Sequence, residues 1–332
     1  MSKVVIHIGT HKTATTTIQN IFWSNHDKLA EHGLIYPRIG EKIPGHHGLV
    51  FYWKHMPAPY QLPKGSRAGL KDIADTYANK DVTVFLSSEE FSRVGVGDQP
   101  ENSFIELREL LSGFDEIEVV CVLRTQWQFL QSAYMEISKK NCPPRPSALV
   151  APTMSSGAFQ GLWVDYNPLL TKLEEAFEPH EITLLDFDVC RRSKDGILGY
   201  FLRHLGVDID IEDLAMQHGS VWNSSSLSLA GWVANLLSEP RVAPPHLIKR
   251  IERLLRAEFG DDVRPCIFSH DEFNRLSTHF EAKNRTLEAR RAAVQPDFAV
   301  TRADPETITL FKNQINNTFW IRICRDLVKD PL

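Results

Sequence analysis

Five short, almost continuously apolar segments are the feature that most restricts the fold of this chain. Stretches with helical periodicity lie between them. A strand that is apolar at successive positions is buried on both faces, which is typical of parallel sheets covered by helices. The sequence therefore predicts an α/β fold with a central parallel sheet and helices on both faces. The five segments are Val4–Ile8, Leu34–Tyr36, Val82–Leu86, Ile117–Leu123 and Ile182–Phe187.

Two stretches interrupt this pattern, at about residues 40–67 and 141–167. Both are rich in proline and lack clear periodicity, and strands resume after each, so we interpret them as long irregular loops or lids. From about residue 207 the chain is mainly helical. The sequence contains no internal repeat, and we predict a single α/β domain over residues 1–332 with a helical C-terminal portion. The predicted C-terminal helices are Leu227–Leu237, His246–Phe259, Asp271–Arg291 and Pro305–Val328.

The charge balance limits the ligands that this chain is expected to bind. The formal net charge is −5 at pH 7, whereas nucleic acids and anionic membranes require a basic face. We therefore expect no nucleic-acid partner, and any bound anion should be small and enclosed. No segment approaches the roughly 20 apolar residues of a membrane span, and the N-terminal apolar run is too short for a signal peptide, which predicts a cytoplasmic protein. A homodimer is compatible with these features.

The five cysteines are scattered and include no Cys-x-x-Cys pair. This spacing argues against a disulfide framework and against a zinc site. We predict no metal site of any kind, and the nearest candidates for a magnesium ligand, Asp186 and Asp188, follow the fifth strand without a convincing partner motif.

The segment between the first strand and the first helical stretch is the strongest candidate for a binding site. In α/β folds, backbone N–H groups and a helix N-terminus converge on anions at this position. A lysine adds a full positive charge, and threonines add hydroxyl donors. A phosphate-like group is therefore predicted to bind here, to Gly9, Thr10, His11, Lys12, Thr13, Ala14, Thr15, Thr16 and Thr17.

This loop is not the phosphate loop of ATPases. That motif places Gly-Lys directly before the helix, and counted from Gly9 those positions are occupied by Ala14 and Thr15. A small-molecule or nucleoside kinase, which needs ATP and magnesium, is thereby disfavoured but stays an alternative.

The run Lys12-Thr13-Ala14-Thr15-Thr16 resembles the 5′-phosphosulfate loop of sulfotransferases that use 3′-phosphoadenosine 5′-phosphosulfate (PAPS), commonly Pro-Lys-Ser/Thr-Gly-Thr-Thr. His11 stands in place of the proline and Ala14 in place of the glycine. Position 14 therefore either keeps a negative φ or adopts a positive φ under strain.

A second match follows the fourth strand. In this family an arginine directly after that strand, with a serine eight residues later, binds the 3′-phosphate of the donor, and Arg124 and Ser132 have this spacing. Arginine offers a planar fork to two phosphate oxygens, and a serine two helical turns along can point to the same side. The likeness covers most of the chain. Glu181–Val207 looks like the family's late strand and the helix after it, and Ser277–Leu287 resembles the C-terminal segment of bacterial members. It is sharp only at Gly9–Thr17 and Arg124–Ser132.

The resemblance implies a P-loop-NTPase-like fold and transfer of a sulfuryl group from PAPS to a hydroxyl or amine acceptor. The nucleotide product is adenosine 3′,5′-bisphosphate (PAP), and no metal is needed. The acceptor is expected to be a carbohydrate or another small alcohol. Lys12 would neutralise the charge that develops on the leaving group. A non-catalytic member that binds a nucleotide or glycan is a further alternative.

A hydroxyl acceptor also needs a general base. Glu89 and Glu90 follow the third strand, at the sheet edge where ligands bind, and the family often places its base there. His46 and His47 lie in the first irregular stretch. We favour Glu89, with His47 second.

The acceptor itself is less well specified by the sequence. Four aromatic residues in or beside the irregular stretches are candidates to stack on a sugar or aromatic alcohol, or else belong to the core: Tyr52, Trp53, Trp163 and Tyr166. The run Asn223–Ser226 precedes a helix and is either a cap or part of the donor site.

Overall fold

The structure is a computed structural model, and it describes residues 1–40, 43–94, 103–215 and 227–329. Elements are numbered in chain order. The strands are β1 Lys3–His7, β2 Leu34–Ile35, β3 Thr83–Ser87, β4 Glu116–Leu123, β5 Ala158–Phe159, β6 Leu162–Trp163, β7 Ile182–Asp186, β8 Pro265–Cys266 and β9 Leu310–Phe311. The helices are α1 Thr15–Ser24, α2 His26–Glu31, α3 Ser66–Tyr77, α4 Phe104–Leu110, α5 Gln126–Ile137, α6 Ser147–Ser156, α7 Asn167–Glu174, α8 Phe187–Arg192, α9 Gly196–His204, α10 Ser228–Ser238, α11 Pro245–Phe259, α12 His270–Arg291 and α13 Asn317–Lys329.

The five predicted strands form one parallel sheet, in the order β2-β3-β1-β4-β7. The central strand β1 pairs with β3 and β4, so that Val4 lies opposite Val84 and Ile117. The carboxyl ends of these strands meet at one edge of the sheet, which is where ligands bind in folds of this kind. The prediction of an α/β fold with a central parallel sheet is confirmed.

Successive residues of each strand enter two different cores. Val4, Ile6 and Ile8 of the first strand lie in one cluster of buried residues, with side chains of α3, α4 and α7. Val5 lies in another cluster, with side chains of α1 and α9. Both faces of the sheet are therefore covered by helices, which explains why the strands read as continuous apolar runs.

The chain divides into two compact units. The first, which contains the sheet, comprises Met1–Arg124, Gln160–Trp222 and Lys283–Thr301. The second comprises Thr125–Phe159, Asn223–Ala282 and Arg302–Leu332.

The second unit is mainly helical where it is described. Buried residues of α10 and α11, such as Val233 and Ile251, form its interior, and Phe319 of α13 contacts Phe259 with ring centroids 5.7 Å apart. The short strands β8 and β9 pair in parallel. No helix in the described part of the chain has the length and apolar character to cross a membrane.

Three sequence predictions about local structure were wrong in part. The predicted helix Pro305–Val328 is helical only from Asn317: before it the chain forms a single turn, Pro305–Thr307, and then pairs β9 with β8. Asn316 caps the true start, since its side-chain oxygen accepts a hydrogen bond from Phe319 N. The second irregular stretch contains the helix Ser147–Ser156.

The third concerns the stretch from Thr15, whose apolar spacing predicts one helix that stops at Gly33. In the structure this helix is interrupted at Asn25, between α1 and α2. The Asn25 side chain donates to Ile21 O and to Ala215 O. These bonds offer an alternative to the helix ladder, so α1 stops there. The second helix, α2, then ends at Glu31, before Gly33, whose φ is +78°.

Candidate active site

The loop Gly9–Thr17 leaves the sheet from β1, between β3 and β4. Ile8 N and Thr10 N donate to Val120 O and Val122 O, which extends the pairing with β4 past the end of the strand. Lys12 and Ala14 then adopt left-handed conformations, with φ of 67° and 61°. Position 14 thus takes the strained form of the two that the sequence left open. Each such residue costs about 1–2 kcal/mol when it is not glycine.

Position 9 requires glycine because neighbouring side chains leave no room for a Cβ atom, not because of its backbone angles. A Cβ atom at this position would lie 2.6 Å from His7 Nε2 and 3.3 Å from Thr13 Oγ1. His7 is fully buried, and its Nδ1 lies 3.0 Å from Ser87 Oγ. Burial, and next the nearby His204, lower the pKa of His7 to about 3, so the ring is neutral. Sequence analysis missed this residue, although a histidine inside an apolar strand was a signal.

Four consecutive backbone N–H groups at the start of α1 are left open. Thr17 N and Ile18 N both donate to Ala14 O, which closes the first helical turn. The N–H groups of residues 13–16 have no hydrogen-bond acceptor among the described residues. They form the N-terminal end of a ten-residue helix, where the helix dipole favours an anion.

Two of the threonine hydroxyls hold the loop itself. Thr10 Oγ1 donates to Val122 O at 3.0 Å, and Thr13 Oγ1 donates to Thr10 O at 2.6 Å. Both side chains are buried, whereas Thr16 is exposed. The threonines at 10 and 13 therefore stabilise the loop conformation from inside.

The structure brings Arg124 against this loop. Its Nη1 donates to Lys12 O at 2.9 Å, and its guanidinium carbon lies 5.0 Å from the Phe187 ring centroid. The buried Nε has no hydrogen-bond acceptor among the described residues. Burial lowers the pKa of Arg124, but a guanidinium remains charged in proteins. Ser132 lies on α5, in the second compact unit, and its role in donor binding stays a prediction.

The short turn Glu89–Ser92 follows β3, the neighbour of β1. Glu90 is only 11% exposed, and it contacts His11 Nε2 at 3.2 Å and forms an ion pair with Arg93. Burial alone would raise the pKa of Glu90, but the hydrogen bonds from His11 and Arg93 lower it to about 2. Glu90 is therefore held ionised by its partners and is poorly suited to accept a proton.

His46 is fully engaged in structural hydrogen bonds. Its Nε2 donates to Pro37 O at 2.8 Å, and its Nδ1 accepts from Ser87 N at 2.9 Å. The ring is buried, and burial lowers its pKa to about 4. Neither ring nitrogen is left for an acceptor.

Two of the four candidate bases keep a site for a proton, Glu89 and His47. Gln19 Nε2 donates to Glu89 Oε2 at 3.2 Å, and the other carboxylate oxygen accepts no hydrogen bond from the described residues. His47 Nδ1 lies 2.8 Å from Ser88 Oγ, which leaves Nε2. Both side chains are partly buried. Gln19 was missed because its partner is 70 positions away in the chain.

The four aromatic candidates for stacking on an acceptor lie in different environments. Tyr52 and Tyr166 are core residues, whose hydroxyls donate to Phe91 O and Arg124 O. Trp163 packs partly buried against the core. Trp53 is partly buried and stacks on another aromatic ring, that of Tyr60. The run Asn223–Ser226 lies outside the described residues.

The aspartates after β7 serve the fold. The Asp186 side chain caps α8 by accepting a hydrogen bond from Val189 N. It also accepts hydrogen bonds from Thr301 N and Thr301 Oγ1. Asp188 pairs with Arg191 at 3.1 Å. Within residues 1–40, 43–94, 103–215 and 227–329, no group of three or more His, Cys, Asp or Glu side chains is arranged to hold a metal ion.

The chain has a structural likeness to known proteins but no sequence match. No family model matches the chain, and no curated protein matches it. Among solved structures, the chain is similar to a sulfotransferase from Alicyclobacillus acidocaldarius, with 12% sequence identity and a TM-score of 0.48, over 91% of this chain and 97% of that chain. The functional assignment therefore depends on the geometry of the site itself.

Proposed function

We propose that this protein is a sulfotransferase that moves a sulfuryl group from PAPS to an acceptor hydroxyl or amine and releases PAP. The observation that carries the proposal is the set of open N–H groups at residues 13–16, flanked by Lys12 and Arg124. Such an arrangement suits an anion at the helix N-terminus and a second anion beside the arginine.

The donor would be held from two sides. The loop N–H groups and Lys12 would bind the 5′-phosphosulfate, and the unpaired Nε of Arg124 would bind the 3′-phosphate. The new bond forms between the acceptor oxygen and sulfur, and the bond between sulfur and the bridging oxygen breaks. Negative charge then develops on that oxygen, as in phosphoryl transfer, and fixed donors at this point lower the barrier.

The proton of the acceptor would go to Glu89, with His47 as the second candidate. Glu89 combines one carboxylate oxygen oriented by Gln19 with another that accepts no hydrogen bond from the described residues. A base that is oriented at one atom and open at another can take a proton without rearrangement.

The first test is a calorimetric titration of the purified protein with PAP and, separately, with ATP plus magnesium. We expect PAP to bind tightly and ATP weakly. Lys12→Ala should weaken PAP binding and lower turnover with PAPS by about two to three orders of magnitude. A preference for ATP with magnesium would support a kinase, and wild-type turnover in the variant would overturn the assignment.

The role of Arg124 is tested by comparing PAP with AMP, which lacks the 3′-phosphate. Arg124→Ala should weaken PAP binding about tenfold to a hundredfold more than AMP binding, because it removes a charged hydrogen-bond donor to one phosphate. Arg203→Ala is the control, since Arg203 lies on α9 in the same compact unit and pairs with Asp195; it should leave both affinities unchanged. Equal losses for PAP and AMP would contradict the assignment.

A further inference from the structure

Beside the donor loop, six side chains and one serine hydroxyl form a closed series of contacts, which we call the contact ring. Its polar half starts in the loop, where His11 Nε2 lies 3.2 Å from Glu90 Oε1. Glu90 in turn pairs with Arg93, whose Nη2 also lies 3.3 Å from His11 Nε2. This half joins the loop after β1 to the turn after β3.

The other half of the contact ring is aromatic. The Arg93 guanidinium lies 6.0 Å from the Trp53 ring centroid, and Trp53 stacks on Tyr60 with centroids 5.8 Å apart and an interplanar angle of 27°. The Tyr60 ring meets His47 edge-on at 5.0 Å. His47 closes the series through Ser88 Oγ, which accepts from Glu90 N.

The geometry points to an uncharged carbohydrate as the acceptor, stacked on the Trp53–Tyr60 pair, an inference that rests on the proposed function. A sugar ring combines apolar C–H faces, which pack on aromatic rings, with hydroxyls that need polar partners at its edge. The contact ring supplies both the aromatic faces and the polar partners, and it includes His47, the second candidate for the general base.

The charges around the aromatic pair favour a neutral acceptor. Burial, and after it the negative charges of Glu90 and Glu89, raise the pKa of Tyr60. Both carboxylates belong to the turn capped by Ser88, and Ser88 contacts His47, whose ring meets that of Tyr60. The charge of Glu90 is balanced by Arg93 and His11, whereas Glu89 forms no ion pair among the described residues. An anionic acceptor would therefore meet an uncompensated negative charge, which repels it.

The packing of the pair also disfavours a flat aromatic alcohol. Trp53 and Tyr60 stack on each other, so no slot remains between them for a third ring. The remaining sides of the contact ring are charged or polar, whereas a flat apolar ligand is bound best by an enclosed apolar cavity. Sugar hydroxyls can form hydrogen bonds with these groups, which offsets the free-energy cost of removing the hydroxyls from water.

The inference is tested by sulfuryl transfer from radiolabelled PAPS to three kinds of acceptor. These are neutral trisaccharides (maltotriose, cellotriose and N-acetylchitotriose), the aromatic alcohol 2-naphthol, and the polyanion chondroitin. We expect transfer to at least one trisaccharide. Trp53→Ala should raise the KM for that saccharide about tenfold or more, Trp53→Phe should recover most of the loss, and the affinity for PAP should stay within about twofold.

The matched control is Trp23→Ala, because Trp23 also faces an arginine, Arg38, at 4.6 Å but lies outside the contact ring. It should leave the saccharide KM unchanged. Transfer only to 2-naphthol or chondroitin, or to none of the acceptors while PAP binds, overturns the carbohydrate inference and leaves the proposed function in place. Failure to bind PAP overturns both.

Discussion

The loop after β1 and the turn after β3 lie at the same edge of the sheet, but they are fixed in different ways. His7 and Ser87, the last residues of these strands, are paired partners. The conformation of the loop is set by left-handed residues at 12 and 14 and by threonine hydroxyls that donate to backbone carbonyls. In the turn, side chains also bond to partners from distant segments, as Glu89 does to Gln19 and Glu90 to His11. The loop is thus a run of consecutive residues held against one neighbouring strand, β4, whereas the turn gathers side chains from several segments of the chain.

The two regions also differ in charge. The loop presents open N–H groups and Lys12, and the turn presents Glu89 and Glu90. In the proposed mechanism, adjacent strands would thus place the leaving anion next to the proton acceptor. Transfer between two bound molecules requires this kind of arrangement.

The largest effect that would sharpen this comparison concerns the base. Glu89→Gln keeps the shape of the side chain but removes proton uptake, so turnover with PAPS should fall by about two to four orders of magnitude while PAP affinity is kept. His47→Ala, measured in the same assay, should cost much less. If His47→Ala shows the large loss and Glu89→Gln the small one, the roles are exchanged; two small losses would remove the turn from the chemistry.

A smaller effect separates the two adjacent glutamates through stability. The folded-state pKa of Glu90, about 2, lies below its ordinary value of 4.5, so its ionised form stabilises the fold above pH 4.5. That stabilisation is lost as the pH falls toward 2. Glu90→Gln should therefore lower the free energy of unfolding by about 2 kcal/mol at neutral pH, and the difference from wild type should vanish at low pH.

Urea denaturation at several pH values measures this difference directly. Other acidic groups titrate in both proteins and cancel in the comparison. Glu89→Gln is the control, because Glu89 forms no ion pair among the described residues. A difference for Glu90→Gln that does not change between pH 5 and pH 2 would contradict the ion-pair account.

The smallest effect concerns the strained backbone of the loop. Ala14→Gly should raise the free energy of unfolding by about 1 kcal/mol, because glycine adopts the left-handed conformation without steric cost. Ala289→Gly, at an exposed position inside α12, should lower it by a similar amount. Urea denaturation measures both. Equal signs for the two variants would show that the loop is not strained at position 14.

The sequence was informative where the relevant residues are contiguous. Apolar runs predicted the sheet, and the strand-to-helix junction predicted the position of the loop, since both depend on neighbours in the chain. The contacts of Glu90 with His11 and of His47 with Ser88 join residues 79 and 41 positions apart. The pairing of β1 with β3 brings Glu90 to His11, and the bond from His46 N to Ser87 O holds His47 beside Ser88. The sequence alone therefore favoured Glu89, with His47 second, but could not show that Glu90 and His46 are already engaged.

The bond between His11 and Glu90 has a thermodynamic consequence. One of its residues belongs to the donor loop, and the other shares Arg93 with the aromatic pair. Under the proposed function, the donor and the acceptor would both contact this group of residues, and their affinities would be linked. If a bound nucleotide changes the affinity for the acceptor by some factor, a bound acceptor changes the affinity for the nucleotide by the same factor, because cooperativity between two binding equilibria is reciprocal.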